Sequence, residues 1–70
     1  MTVRIWFRDS LQSEDVKGDL VGVTTILNVA RANGNQYAIL DDVNGNGLMV
    51  EMRNITKGRE VEDEDALVGG

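Results

Sequence analysis

Asp42, Asn44 and Asn46, with Gly47 directly after, are the one run of oxygen donors in the chain spaced to hold a metal ion. In the stretch "DDVNGNGLMVEMR" they fit the opening of a calcium loop, with donors at alternate positions and a glycine where such a loop bends. The match ends there. Position twelve, which must be a bidentate glutamate, is Arg53, and Glu51 falls two residues short on an expected strand. The sequence reading is therefore a turn built from "NGNG", with Asp42, Asn44 and Asn46 a weak metal candidate. Asn and Gly reach the backbone angles of such a turn at low steric cost.

Other chemistry is equally sparse. There is no histidine and no cysteine, so the usual general base, thiol nucleophiles, disulfides and the common zinc ligand sets are all missing. Asp41 and Asp42 are neighbours, which on a strand would point them to opposite faces, so they make no catalytic dyad. No hydroxyl is spaced to sit beside a base. The chain reads as a non-enzyme, with no cofactor expected.

Arg4, Trp6 and Arg8 form a more informative set. Alternation on a strand would project both guanidinium groups beside the indole, a platform able to stack a base or clamp a phosphate. The competing reading covers Trp6 with the 10–19 connection, because tryptophan is usually largely buried. Met49, Glu51, Arg53 and Ile55 are a second partner-binding candidate, since methionine adapts to irregular surfaces.

These residues must be held by a small scaffold. Seventy residues make one domain, which buries only about 60% of its unfolded surface. With no disulfide, added stability would come most readily from self-association, so a homo-oligomer, most simply a dimer, is expected. The net charge is −5, yet residues 1–59 hold equal numbers of basic and acidic groups. The excess lies in Glu60, Glu62, Asp63, Glu64 and Asp65. The reading is a domain over 1–59 and an acidic, solvated tail over 60–70. "MTVRIWFRDS" lacks the apolar run of a signal peptide, and no stretch reaches the ~18 apolar residues of a membrane span, so a cytoplasmic location with no membrane partner is expected.

Along the chain, "TVRIWFR" alternates Val3, Ile5 and Phe7 against Arg4, Trp6 and Arg8 and predicts a strand. "SLQSEDVKGD" predicts a polar connection, with a helical turn near 10–17 capped by Ser10 or Ser13 and stopped at Gly18. In "LVGVTTILNVARANG" the β-branched residues and the Asn33-Gly34 hairpin signal predict a strand. A helix at 24–33 is the alternative. "QYAIL" predicts a strand with Tyr37 and Ile39 on one face, and "LMVEMRNI" another with Leu48, Val50 and Met52 inward. A short last strand is expected around Arg59 to Val61.

The elements together predict an all-β fold, a small antiparallel five-stranded barrel of the SH3-like or OB-like kind. The alternative is an α+β β-grasp fold using the 24–33 helix. The terminal Gly69-Gly70 resembles the ending of sulfur-carrier and ubiquitin-like proteins, small β-grasp domains whose C-terminal di-glycine is activated. That resemblance covers the last two residues, the length and a first strand, and implies a carrier role for Gly69 and Gly70. Against it, "EVEDEDALVGG" is acidic where those proteins place an apolar strand.

The leading functional expectation is a small binding module acting by protein–protein interaction or ligand sequestration. A phage or mobile-element inhibitor of a host protein is one form this would take. The alternatives are a nucleotide or single-stranded nucleic acid binder using the Arg-Trp-Arg stripe, and the di-glycine carrier.

Overall fold

The structure, a computed structural model, describes residues 1–61. Strands β1 (Thr2–Phe7) and β2 (Ser13–Lys17) form an antiparallel pair. Helix α1 (Leu20–Ala32) follows, then an antiparallel hairpin of β3 (Tyr37–Asp41) and β4 (Gly47–Glu51). A single 3-10 turn (Met52–Asn54) leads into β5 (Ile55–Val61), which returns antiparallel to β1. The result is a three-stranded sheet in the order β2-β1-β5 and a two-stranded sheet of β3 and β4. They touch by one bridge, Val16 to Asp42. Among the described residues no closed barrel forms. The fold is mostly β and antiparallel, as expected, but α+β in class.

The largest correction is α1, where a strand was expected and the 24–33 helix was the alternative. Asp19 decides its start: its carboxylate accepts the N–H of Gly22 at 2.7 Å, an N-cap that satisfies one of the orphan donors of the first turn. Val23, Leu27 and Ala30 recur at helical spacing and turn inward, Val23 being 4% exposed. The β-branched Val21, Thr24 and Thr25 that favoured a strand are exposed. Asn33-Gly34 is not a hairpin. Gly34 has φ of 79° and donates to Arg31 O, while Asn35 donates to Ala30 O, the paired bonds of a Schellman stop. The same dipeptide serves either structure, and local spacing alone did not distinguish them.

The connection at 10–17 holds β2 instead of a helical turn. Its inward side has one apolar residue, Val16, which is fully buried opposite Val3. One residue is too weak a periodic signal for a strand to be read. Gly18, expected as a stop, has φ of 115° in the turn between β2 and α1. β5 begins at Ile55, earlier than expected, and its register against β1 shifts between Ile55 and Lys57, opposite Phe7 and Trp6. Glu60 and Val61, assigned to the tail from sequence, are part of β5. The rest of the expected tail, with Gly69-Gly70, lies outside the described residues.

The core forms where α1 closes over the inner faces of both sheets. Val3, Ile5 and Val16 come from one sheet, Ala38, Leu40, Val50 and Met52 from the hairpin and the turn after it, and Val23 from the helix. Each large buried aliphatic side chain contributes about 1.5–3 kcal/mol relative to exposure. No described buried side-chain polar atom lacks a partner.

Candidate binding surfaces

The segment from Asp42 to Asn46, expected as a turn with a weak metal candidate, is a turn. Asp42 Oδ1 accepts the N–H groups of both Asn44 and Asn46 at 2.9 Å, so the carboxylate is committed to its own loop. Gly45, with φ of 87°, allows the tight return, and its N–H donates to Asp42 O. Among the described residues no group of three or more acidic side chains is gathered to hold an ion. The turn sets the register of β3 and β4.

That register places Ile39 directly opposite Met49 and Tyr37 opposite Glu51. Inward residues of the same strands, Ala38, Leu40 and Val50, are buried. The hairpin is therefore apolar on both sides. On its outer side Ile39 is 68% exposed, Met49 66% and Tyr37 47%. Sequence reasoning paired Tyr37 with Ile39 but did not set them among the site residues. The signal was present in "YAIL", which is apolar at every position and cannot bury both faces in a two-stranded hairpin.

Beside this face runs a groove of about 460 Å³ between α1 and β3, lined by Ile26, Val29, Ala30, Tyr37, Ala38 and Ile39 among others. The helix supplies it because Ile26, Val29 and Asn33 lie on a flank adjacent to the core-facing Val23, Leu27 and Ala30. Ile26 and Val29 stay about half exposed, at 46% and 55%. The floor of the groove is a strand edge. Met52 N–H donates to Gln36 O and Asp42 N–H to Asn46 O, so even-numbered residues of β3 bond toward β4. The N–H and C=O groups of Tyr37 and Ile39 then point the other way, where β2 has ended at Lys17.

The opposite surface, the outer face of β2-β1-β5, carries Arg4 and Trp6 together as expected. Arg8 lies past the strand end, beyond the register shift, with its N–H on Asn54 O. Pairing adds two residues that sequence spacing did not: Lys57 opposite Trp6 and Arg59 opposite Arg4. Lys57 Nζ sits 4.3 Å from the centroid of the indole ring. Arg4 makes a bidentate contact with Asp15, at 2.9 and 3.2 Å. The 10–19 segment does not cover Trp6. It lies beside it as β2, with Ser13 opposite, and Trp6 remains partly exposed.

The second expected set is divided. Met49 and Glu51 are on β4, Arg53 lies in the following turn and lines a separate pocket of about 470 Å³ with Arg31, Asn35, Gln36 and Met52. Ile55 packs against the core and pairs with Phe7. Met49 and Ile55 thus belong to different surfaces.

No protein-family model matches the chain, and no curated protein is similar to it. No described helix is long and apolar enough to cross a membrane.

Proposed function

We propose that this chain is a non-enzymatic binding module that acts by protein–protein contact through the β3 edge and the α1 groove. One observation carries the reading: unpaired strand edge and exposed apolar side chains coincide at Tyr37 and Ile39. An open edge supplies main-chain hydrogen bonds to an added strand, and flanking pockets supply selectivity for alternate side chains. Apolar surface alone would be weaker support, because single exposed hydrophobic residues are ordinary. Here five of them, Ile26, Val29, Tyr37, Ile39 and Met49, surround one edge.

Selection of random peptides on the folded protein tests the assignment without a known partner. Enriched peptides will be extended, with apolar residues at alternate positions, and will lose binding to an Ile39→Lys variant. Failure to enrich any peptide, or enrichment indifferent to Ile39→Lys, would reject this face.

A second reading rests on the Lys57–Trp6 stack. Of the seven cationic side chains, Arg4, Lys17, Lys57 and Arg59 share the outer face of the three-stranded sheet, against Asp15 as the paired carboxylate. Such a face suits a nucleotide or single-stranded nucleic acid, with a base stacking on Trp6 in place of Lys57. Its test is quenching of Trp6 fluorescence by an oligonucleotide, with affinity falling as salt rises.

A further inference from the structure

The geometry points to a second copy of this chain as the occupant of the β3 edge, paired antiparallel about a two-fold axis through Ala38. This inference rests on the docking face proposed above and names what fills it.

The edge is self-complementary. With Ala38 opposite the partner's Ala38, Tyr37 stands opposite the partner's Ile39 and Ile39 opposite the partner's Tyr37. Each pair joins residues whose N–H and C=O groups point away from β4, so the two copies exchange four main-chain hydrogen bonds. The open stretch is short because β2 reaches β3 again at Asp42. A long partner strand would collide there, whereas a two-fold pair centred on Ala38 uses only the free length.

Charge favours the same arrangement. Exposed Asp41 lies at the C-terminal end of β3, and Arg31 and Arg53 line the pocket beside its N-terminal end, where they outnumber Glu51 opposite Tyr37. Antiparallel pairing sets the acidic end of one copy beside the basic end of the other. Parallel pairing would set like against like. The flanking side chains are also suited to self-burial: Ile26 and Val29 of the two helices lie on the same side of the joined sheet, and Tyr37, Ile39 and Met49 of the two hairpins extend across it.

Sedimentation velocity on the full chain over a wide concentration range tests the inference. A reversible monomer–dimer equilibrium is expected. Ile39→Lys on the strand and Val29→Asp on the helix should each weaken it at least tenfold, with circular dichroism unchanged. Asp41→Lys and Arg31→Glu should each weaken it, and combining them in one chain should recover most of the loss. A protein monomeric at every concentration overturns the dimer, even if selected peptides still bind the groove. A dimer indifferent to both Ile39→Lys and Val29→Asp, or no recovery in the combined charge variant, overturns it as well. A dimer that survives Ile39→Lys, together with failed peptide selection at concentrations where the chain is monomeric, would reject the docking face itself.

Discussion

Ile39 and Met49 stand directly opposite each other across the β3–β4 pair, on the side turned away from the core, and each is about two-thirds exposed. A domain this small has little apolar surface to spare, and this exposed cross-strand pair is the surface that the proposed docking face uses. The core beneath is complete without them, because Ala38, Leu40, Val50 and Met52 fill the inner side.

Stability should therefore be insensitive to Ile39. Replacing it by lysine or threonine should change the unfolding free energy of the monomer by no more than about 0.5 kcal/mol, as for other exposed sites. Urea unfolding at low protein concentration is the check, and a loss several times larger would place Ile39 in the core.

Ile5 should behave in the opposite way. It is 1% exposed, and truncation to alanine should cost about 3 kcal/mol, comparable with all the stability expected of a domain this short. Thermal melts should show Ile5→Ala largely unfolded near physiological temperature.

The helix start offers a sharper test. Glycine to alanine inside a helix normally stabilises by about 1 kcal/mol. At Gly22 an added Cβ would lie 2.8 Å from Asp19 Oδ1, displacing the cap that starts α1. Gly22→Ala should accordingly yield no gain, whereas Asp19→Ala should cost about 1 kcal/mol. In an Asp19→Ala background, Gly22→Ala should recover its normal benefit, and additive effects would deny the conflict.

Calcium should leave the melting temperature unchanged, because Asp42 is engaged with Asn44 and Asn46 of its own turn. Asp42→Ala should destabilise by about 1–2 kcal/mol through the lost turn bonds, with or without calcium. A calcium-dependent rise in melting temperature that vanishes in this variant would restore the metal reading.

How much was legible in the sequence follows from where the signals were local. β1 was readable because Val3, Ile5 and Phe7 alternate with charged and aromatic residues. The Asp42 turn was readable because its chemistry lies within five residues. α1 was misread because its β-branched residues favour strands in isolation, whereas the helix is decided by Asp19 and by burial of Val23 against residues distant in sequence. β2 was misread because Val16 is its one buried residue. The Lys57–Trp6 contact joins residues fifty-one positions apart and depends on the β1–β5 register. The open edge of β3 depends on where β2 stops, which no residue within β3 records.

Amide hydrogen exchange in β3, resolved residue by residue, tests the central claim most directly. At low concentration Ala38 and Leu40 should be protected through their bonds to β4, while Tyr37 and Ile39, whose amides point away from it, should exchange freely. Raising the protein concentration, or adding a selected peptide, should slow Tyr37 and Ile39 selectively. If Tyr37 and Ile39 exchange freely under every condition, the β3 edge is not a docking surface and the account is wrong.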